Sequence, residues 1–261
     1  MNIWMNWKPN TEILTDKLKT WAIMGGMIFI PYLGFTQTNL FNQPWLDTNR
    51  AIIIDLYAGN DLRWEELKNT PQLVAIIHKA SQGLTEDKKY KERRVLALEH
   101  GYKWGSYHLG TPTDPVQQAD QYLKIIGEHP DELMALDLES NDSTQHMNLR
   151  NAIIFIQRIH QKTNRYPLVY CNKNMMKLIE ADVNNHQIWS LCPLWYARFI
   201  KTIPDFTETV WGNYTLWQFS SELNCKKTGE CWFNVPGTQF DMDINVYSGT
   251  KSELKAQWPF Q

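Results

Sequence analysis

Leu133-Met134-Ala135-Leu136-Asp137-Leu138-Glu139 is an apolar run that ends in two acids. A strand with one wet face alternates apolar and polar residues. A run without alternation is buried on both faces, the habit of parallel sheets covered by helices. Before this run, Pro115–Ile126 reads as a helix with Asp114 as its N-cap. After it, Asn148–Thr163 places Ala152, Phe155, Ile156 and Ile159 on one helical face. Farther out, Ala51–Asp55, Leu73–Ala80, Tyr102–Leu109 and Leu168–Cys171 read as strands. Asp61–Asn69, Lys88–His100 and Lys173–Ala181 read as helices, the second stopping before Gly101. Leu194–Phe199, Tyr214–Phe219 and Phe240–Val246 read as three more strands with no helix between them. Strand–helix alternation predicts an α/β fold with a parallel sheet. Eight strands in about 200 residues predict a single TIM-like β/α barrel, its helices reduced in the last third.

The composition suits that fold. The chain has 261 residues, 43% hydrophobic and 21% charged, which excludes a disordered or collagen-like polymer. Its formal charge of −2 gives no basic excess for nucleic acid. Twelve Trp, 11 Tyr and 10 Phe offer flat faces for ring-shaped ligands or bulk for a core. Among the four cysteines, Cys225 and Cys231 bracket a short polar loop, so either a disulfide or free thiols fit; Cys171 and Cys192 stand apart. No Cys/His pattern has zinc spacing, and neither a metal nor a cofactor is expected.

The first fifty residues read differently. Trp21–Phe35 is uncharged and follows Lys17 and Lys19, the pattern of an export signal or of a membrane anchor through residues 21–35. Thr36–Arg50 is polar and reads as a linker, so residues 51–261 are expected to form the barrel. The protein is then expected outside the cytoplasm: secreted, periplasmic or anchored.

Acids fall at or near predicted strand ends: Asp55, the pair Asp137 and Glu139, then Asp241 and Asp243. In a parallel barrel such positions converge on one rim. Asp137 and Glu139 are two apart on a strand and point the same way, with Cα atoms roughly 6.6 Å apart. Two acids in a dry cleft repel, and one keeps its proton for use as a general acid. No nucleophile elbow, Walker loop, dinucleotide fingerprint or His-Glu-x-x-His zinc motif competes with this pair.

These residues also carry a resemblance. His78–Gly83 (HKASQG), Gly105–Leu109 (GSYHL), Ala135–Ser140 (ALDLES), Pro167–Asn172 (PLVYCN), Leu194–Phe199 (LWYARF), Leu216–Ser220 (LWQFS) and Met242–Asn245 (MDIN) stand in one order. They resemble the landmarks of family 25 of the glycoside hydrolases, the N-acetylmuramidase lysozymes. The resemblance implies a β/α barrel that cleaves the β-1,4 bond between N-acetylmuramic acid and N-acetylglucosamine in peptidoglycan. It implies Glu139 as general acid/base and Asp137 as the group assisting the substrate's acetamido oxygen. Asp55 matches the first-strand acid and Asp243 the last-strand acid, with Asp241 as a competing alignment. Tyr107, Tyr196 and Trp217 match groove aromatics, and Lys79 lies in the second-strand landmark as a substrate-binding residue. The chain departs from the family pattern at Tyr57, where a small hydroxyl residue is usual, and at Ser81-Gln82, where Thr-Glu is usual. A glycan-binding protein on a dead scaffold and a chitinase-like hydrolase are the competing readings.

Overall fold

The computed structural model describes residues 43–203, 205–225, 229–239 and 242–260. The proposed signal or anchor at 21–35 lies outside them, as does Asp241. Eight strands close a barrel: β1 Arg50–Leu56, β2 Leu73–Gln82, β3 Lys103–Leu109, β4 Leu133–Leu138, β5 Leu168–Asn172, β6 Leu194–Ala197, β7 Leu216–Ser220 and β8 Asp243–Thr250. Neighbours pair in chain order, and the β1–β2 and β1–β8 pairings close the ring.

Helices cover the outside of the first part: α1 Trp64–Leu67, α2 Tyr90–Glu99, α3 Pro115–Ile126, α4 Leu149–Thr163, α5 Lys173–Ala181 and α6 His186–Leu191. A last helix, α7 Lys251–Gln257, follows β8. The starts of α3 and α4 have local causes. Asp114 accepts a hydrogen bond from the Gln117 amide at 2.8 Å, and Asn148 accepts one from the Asn151 amide at 2.9 Å. Gly101 sits at φ +82° just beyond α2, a conformation that glycine adopts without steric cost. Neither α6 nor α7 was evident from periodicity, because both are short.

Strand alternation divides the core in two. Ala51, Ile53, Ala75, Ile77, Leu133, Ala135, Leu168, Trp195 and Leu216 fill the barrel interior. Their neighbours Ile52, Ile54, Ile76, Leu136, Val169, Tyr196 and Trp217 face the outer layer, where Phe155, Ile156 and Ile159 of α4 also pack.

Two features depart from the sequence reading. First, the barrel is not wholly parallel: β8 runs antiparallel to both β7 and β1. A parallel return requires a crossover, usually a helix, and the chain between Ser221 and Met242 has none among its described residues. Second, residues 43–50 are not linker. Trp45 is 2% exposed and stacks on Phe219 with ring centroids 4.0 Å apart. The Gln43 amide donates to the Lys201 carbonyl at 2.8 Å, and the Gln72 side chain donates to the carbonyls of Trp45 and Asp47. One tryptophan thus anchors the approach to β1 on the barrel wall.

Candidate active site

Asp55 near the end of β1, Asp137 near the end of β4, Glu139 one residue past β4 and Asp243 at the start of β8 line one cleft. The inversion of β8 explains the last of these. In an antiparallel strand the first residue, not the last, reaches the rim where the other strands end. The register places Asp243 directly opposite Asp55. Tyr107, Tyr170, Trp195 and Gln218 complete the lining, and the cleft encloses about 50 Å³.

Asp55 is buried and held from below. Its Oδ2 accepts from Asn245 Nδ2 at 2.6 Å and from Gln218 Nε2 at 3.2 Å. Asn245 Oδ1 in turn accepts from Trp195 Nε1 at 2.6 Å, and Gln218 Oε1 accepts from the Tyr170 hydroxyl at 2.8 Å. These amides can each donate and accept, so one chain of bonds orients the acid and two aromatic rings. Trp195 stands edge-on to Tyr170, with centroids 5.0 Å apart, and to Tyr107, at 6.3 Å.

Asp137 differs. It is 8% exposed, and its Oδ1 is buried with no hydrogen-bond partner among the described residues. Burial, then the charges of Glu139 and Asp55, push its pKa well above the usual carboxylate range, and Lys79 partly offsets them. The Tyr107 and Tyr170 hydroxyls also titrate well above their ordinary value, through burial and the surrounding acids. Both stay protonated and can donate.

Glu139 is exposed to solvent. Its backbone carbonyl accepts from Asn172 Nδ2 at 2.9 Å, while Asn172 Oδ1 caps α5 by accepting from the amides of Asn174 and Met175. The end of β5 thereby fixes the backbone that carries Glu139. Among the described residues no group of three or more His, Cys, Asp or Glu is placed to hold a metal ion.

Two of the aromatics expected in the groove lie elsewhere. Trp217 is fully buried on the outer side of β7, its Nε1 donating to the Arg198 carbonyl at 2.7 Å. Tyr196 is 1% exposed and packs edge-on against Phe206. On β6 and β7 the odd and even positions are split between the two faces, so Trp195 and Gln218 take the inward places. Sequence reasoning missed Tyr170, Gln218 and Asn172. Gln218 had a signal: a lone amide between Trp217 and Phe219 marks the face opposite an apolar pair.

Residues 54–228, about two thirds of the chain, match the family described as glycosyl hydrolases family 25. The chain belongs to glycoside hydrolase family 25. Relatives of this family 25 chain include the uncharacterized protein YegX of Escherichia coli O157:H7, 26% identical over 177 residues, and of strain K12, 25% identical over 176. Each alignment takes in 65% of this chain, which spans 57% of the length of those relatives. The bacterial lysozyme from Streptomyces coelicolor has the same fold, with a TM-score of 0.63 at 22% identity over 80% of this chain and 97% of that one. The muramidase from Trichobolus zukalii also has a TM-score of 0.63, at 23% identity over 81% and 100%. The CTP1L endolysin has a TM-score of 0.56 at 27% identity, over 79% of this chain and 68% of that one.

Proposed function

We propose that this family 25 chain hydrolyses the β-1,4 bond between N-acetylmuramic acid and N-acetylglucosamine of peptidoglycan. The observation that carries the reading is the buried Oδ1 of Asp137, without a hydrogen-bond partner among the described residues, in a cleft that also holds Asp55, Glu139 and Asp243. An unsatisfied buried acceptor costs free energy, and a substrate N–H can relieve it. The acetamido N–H of the sugar is such a donor. Held by Asp137, the acetamido group turns its oxygen toward the anomeric carbon and attacks it. Glu139, open to solvent, gives its proton to the departing glycosidic oxygen as that bond breaks. In its ionised form Asp137 accepts the acetamido N–H and balances the positive charge that develops on the acetamido-derived ring. Glu139 then takes a proton from the water that attacks the anomeric carbon, which restores the acetamido group. Substrate assistance of this kind is an established exception to the two-carboxylate schemes.

Asp55 and Asp243 hold the sugar by hydrogen bonds and keep the site negative. Tyr107, Tyr170 and Trp195 shape the floor, and Lys79 contacts substrate at the rim. The name muramidase carried by one structural neighbour and lysozyme by another support this reading. The Cys225–Cys231 disulfide fits an oxidising compartment, where peptidoglycan is met. An export or anchoring role for residues 21–35 belongs to the same reading; among the described residues no helix is long and apolar enough to cross a membrane.

The test is digestion of purified peptidoglycan with the parent and with Glu139→Gln, counting new reducing ends and identifying them by mass. N-acetylmuramic acid at the new ends, and a loss of at least about a hundredfold in the variant, are expected. N-acetylglucosamine ends would reassign the bond that is cut. Binding without release by the parent would make the protein a glycan binder.

A further inference from the structure

The loop that follows β1 is locked at the edge of the cleft. The Tyr57 amide donates to Asn60 Oδ1 at 2.8 Å, and the Ala58 amide donates to Asp87 Oδ2 at 3.0 Å. Arg93, buried beneath the loop, donates to the Tyr57 carbonyl at 2.8 Å and to the Asn60 carbonyl. His78 accepts from Arg93 through Nε2, and burial lowers its pKa to about 4, so it stays neutral there. The Tyr57 ring folds across Gly59: a Cβ at position 59 would lie 2.5 Å from the ring carbons. Tyr57 is nevertheless 47% exposed. The hydrogen bonds of the loop hold this exposed aromatic two residues beyond Asp55, where a ligand lying in the cleft can meet it.

Lys79 supplies the second part. It lies on the cleft side of β2, two residues beyond inward-facing Ile77 and opposite Tyr107 in the β2–β3 register. Its ammonium sits 4.7 Å from the centre of the Tyr57 ring. Among the described residues no carboxylate comes within 4.0 Å of it, although Asp137 feels its charge. An ammonium over a ring at the rim of an acidic cleft is steered but unpaired.

We infer that Tyr57 and Lys79 form a subsite that reads a carboxylate on the substituent of the bound sugar. This rests on the peptidoglycan reading above. Tyr57 provides the face for the sugar ring, and Lys79 pairs with the acid. Two carboxylates of peptidoglycan have this chemistry: the lactyl group of muramic acid, free where the peptide is absent, and the acids of the peptide stem.

The experiment compares three preparations of purified peptidoglycan: intact, stripped of stem peptides by an amidase, and with all carboxyls converted to amides. Lys79→Met is expected to raise KM about tenfold on preparations that keep the relevant carboxylate, and Lys79→Arg to recover most of it. Amidation should shrink the difference between the parent and Lys79→Met to under about twofold. A penalty that grows on stripped walls assigns the lactyl acid, and one that vanishes there assigns the stem. An equal loss on intact and amidated walls would mean that Lys79 serves Asp137 alone, and would overturn the inference. Sedimentation binding in a Glu139→Gln background reads the same contact without turnover, so failure of the catalytic reading is seen separately. Tyr57→Leu, which leaves Lys79 in place, should weaken binding to all three preparations; unchanged binding would remove the ring from the subsite.

Discussion

Replacing Asp137 by Asn should make the protein more stable at neutral pH while impairing it as an enzyme. In the parent, burial and the charges of Glu139 and Asp55 raise the Asp137 pKa. A carboxyl whose folded pKa exceeds its unfolded value binds its proton more tightly when folded. Its contribution therefore favours folding at low pH and is lost as pH rises from the unfolded value through the folded one. The amide does not titrate and escapes that loss. With the Cα spacing of about 6.6 Å taken as the order of the charge separation, two ionised carboxylates repel by roughly 2.5 kcal/mol at an effective dielectric of ~20. Glu139 is exposed, so solvent screens its share to about half, and buried Asp55 adds a comparable amount. A net gain of about 2 kcal/mol is expected, a rise in Tm of ~4–8 °C for a domain of this size. Thermal melts of both proteins across pH 4 to 8 make the assay. The two curves should converge toward pH 4 and separate as pH rises, with wall hydrolysis impaired in the variant throughout. A variant less stable than the parent at pH 7, or a gap that does not depend on pH, would refute the argument that Asp137 is held at a cost for chemistry.

Asn245→Leu removes the amide that joins Trp195 to Asp55; it should cost about 1–3 kcal/mol in chemical denaturation and lower kcat, because Asp55 loses its shortest described donor. Unchanged stability would show that water replaces the amide. Trp45→Ala should cost about 3–5 kcal/mol, since a fully packed ring is deleted from the stack on Phe219. Truncation before Thr48 should destabilise the barrel similarly, whereas truncation before Gln43 should spare that stack. Equal melting of the two truncated proteins would count against Trp45 as an anchor.

Much of the fold is local and was therefore legible. The apolar run Leu133–Leu138 is a strand with the expected limits, and Pro115–Ile126 is a helix capped by Asp114, because strand burial and helix capping are written within a few residues. Asp55, Asp137 and Glu139 were legible for the same reason: a polar residue closing an apolar run marks where a strand leaves the core, whereas Asp243 opens β8. The faces of β6 and β7 were not. Leu194-Trp195-Tyr196 and Leu216-Trp217-Gln218 each offer two large or polar neighbours, and only ring closure decides which one turns inward. Trp45 escaped because scattered aromatics in a polar stretch have no periodicity, and its partner Phe219 lies far along the sequence. The direction of β8 escaped as well. It depends on a long connection whose described residues form no helix, and it is what brings Asp243 to Asp55. The sequence by itself determined the eight strands, the longer helices, their order and the acids they carry, since these follow from short-range backbone and burial preferences. Only the tertiary structure decided which side chains share the cleft and that Asp137 Oδ1 finds no hydrogen-bond donor among the described residues, since both depend on the register and closure of strands distant in the chain.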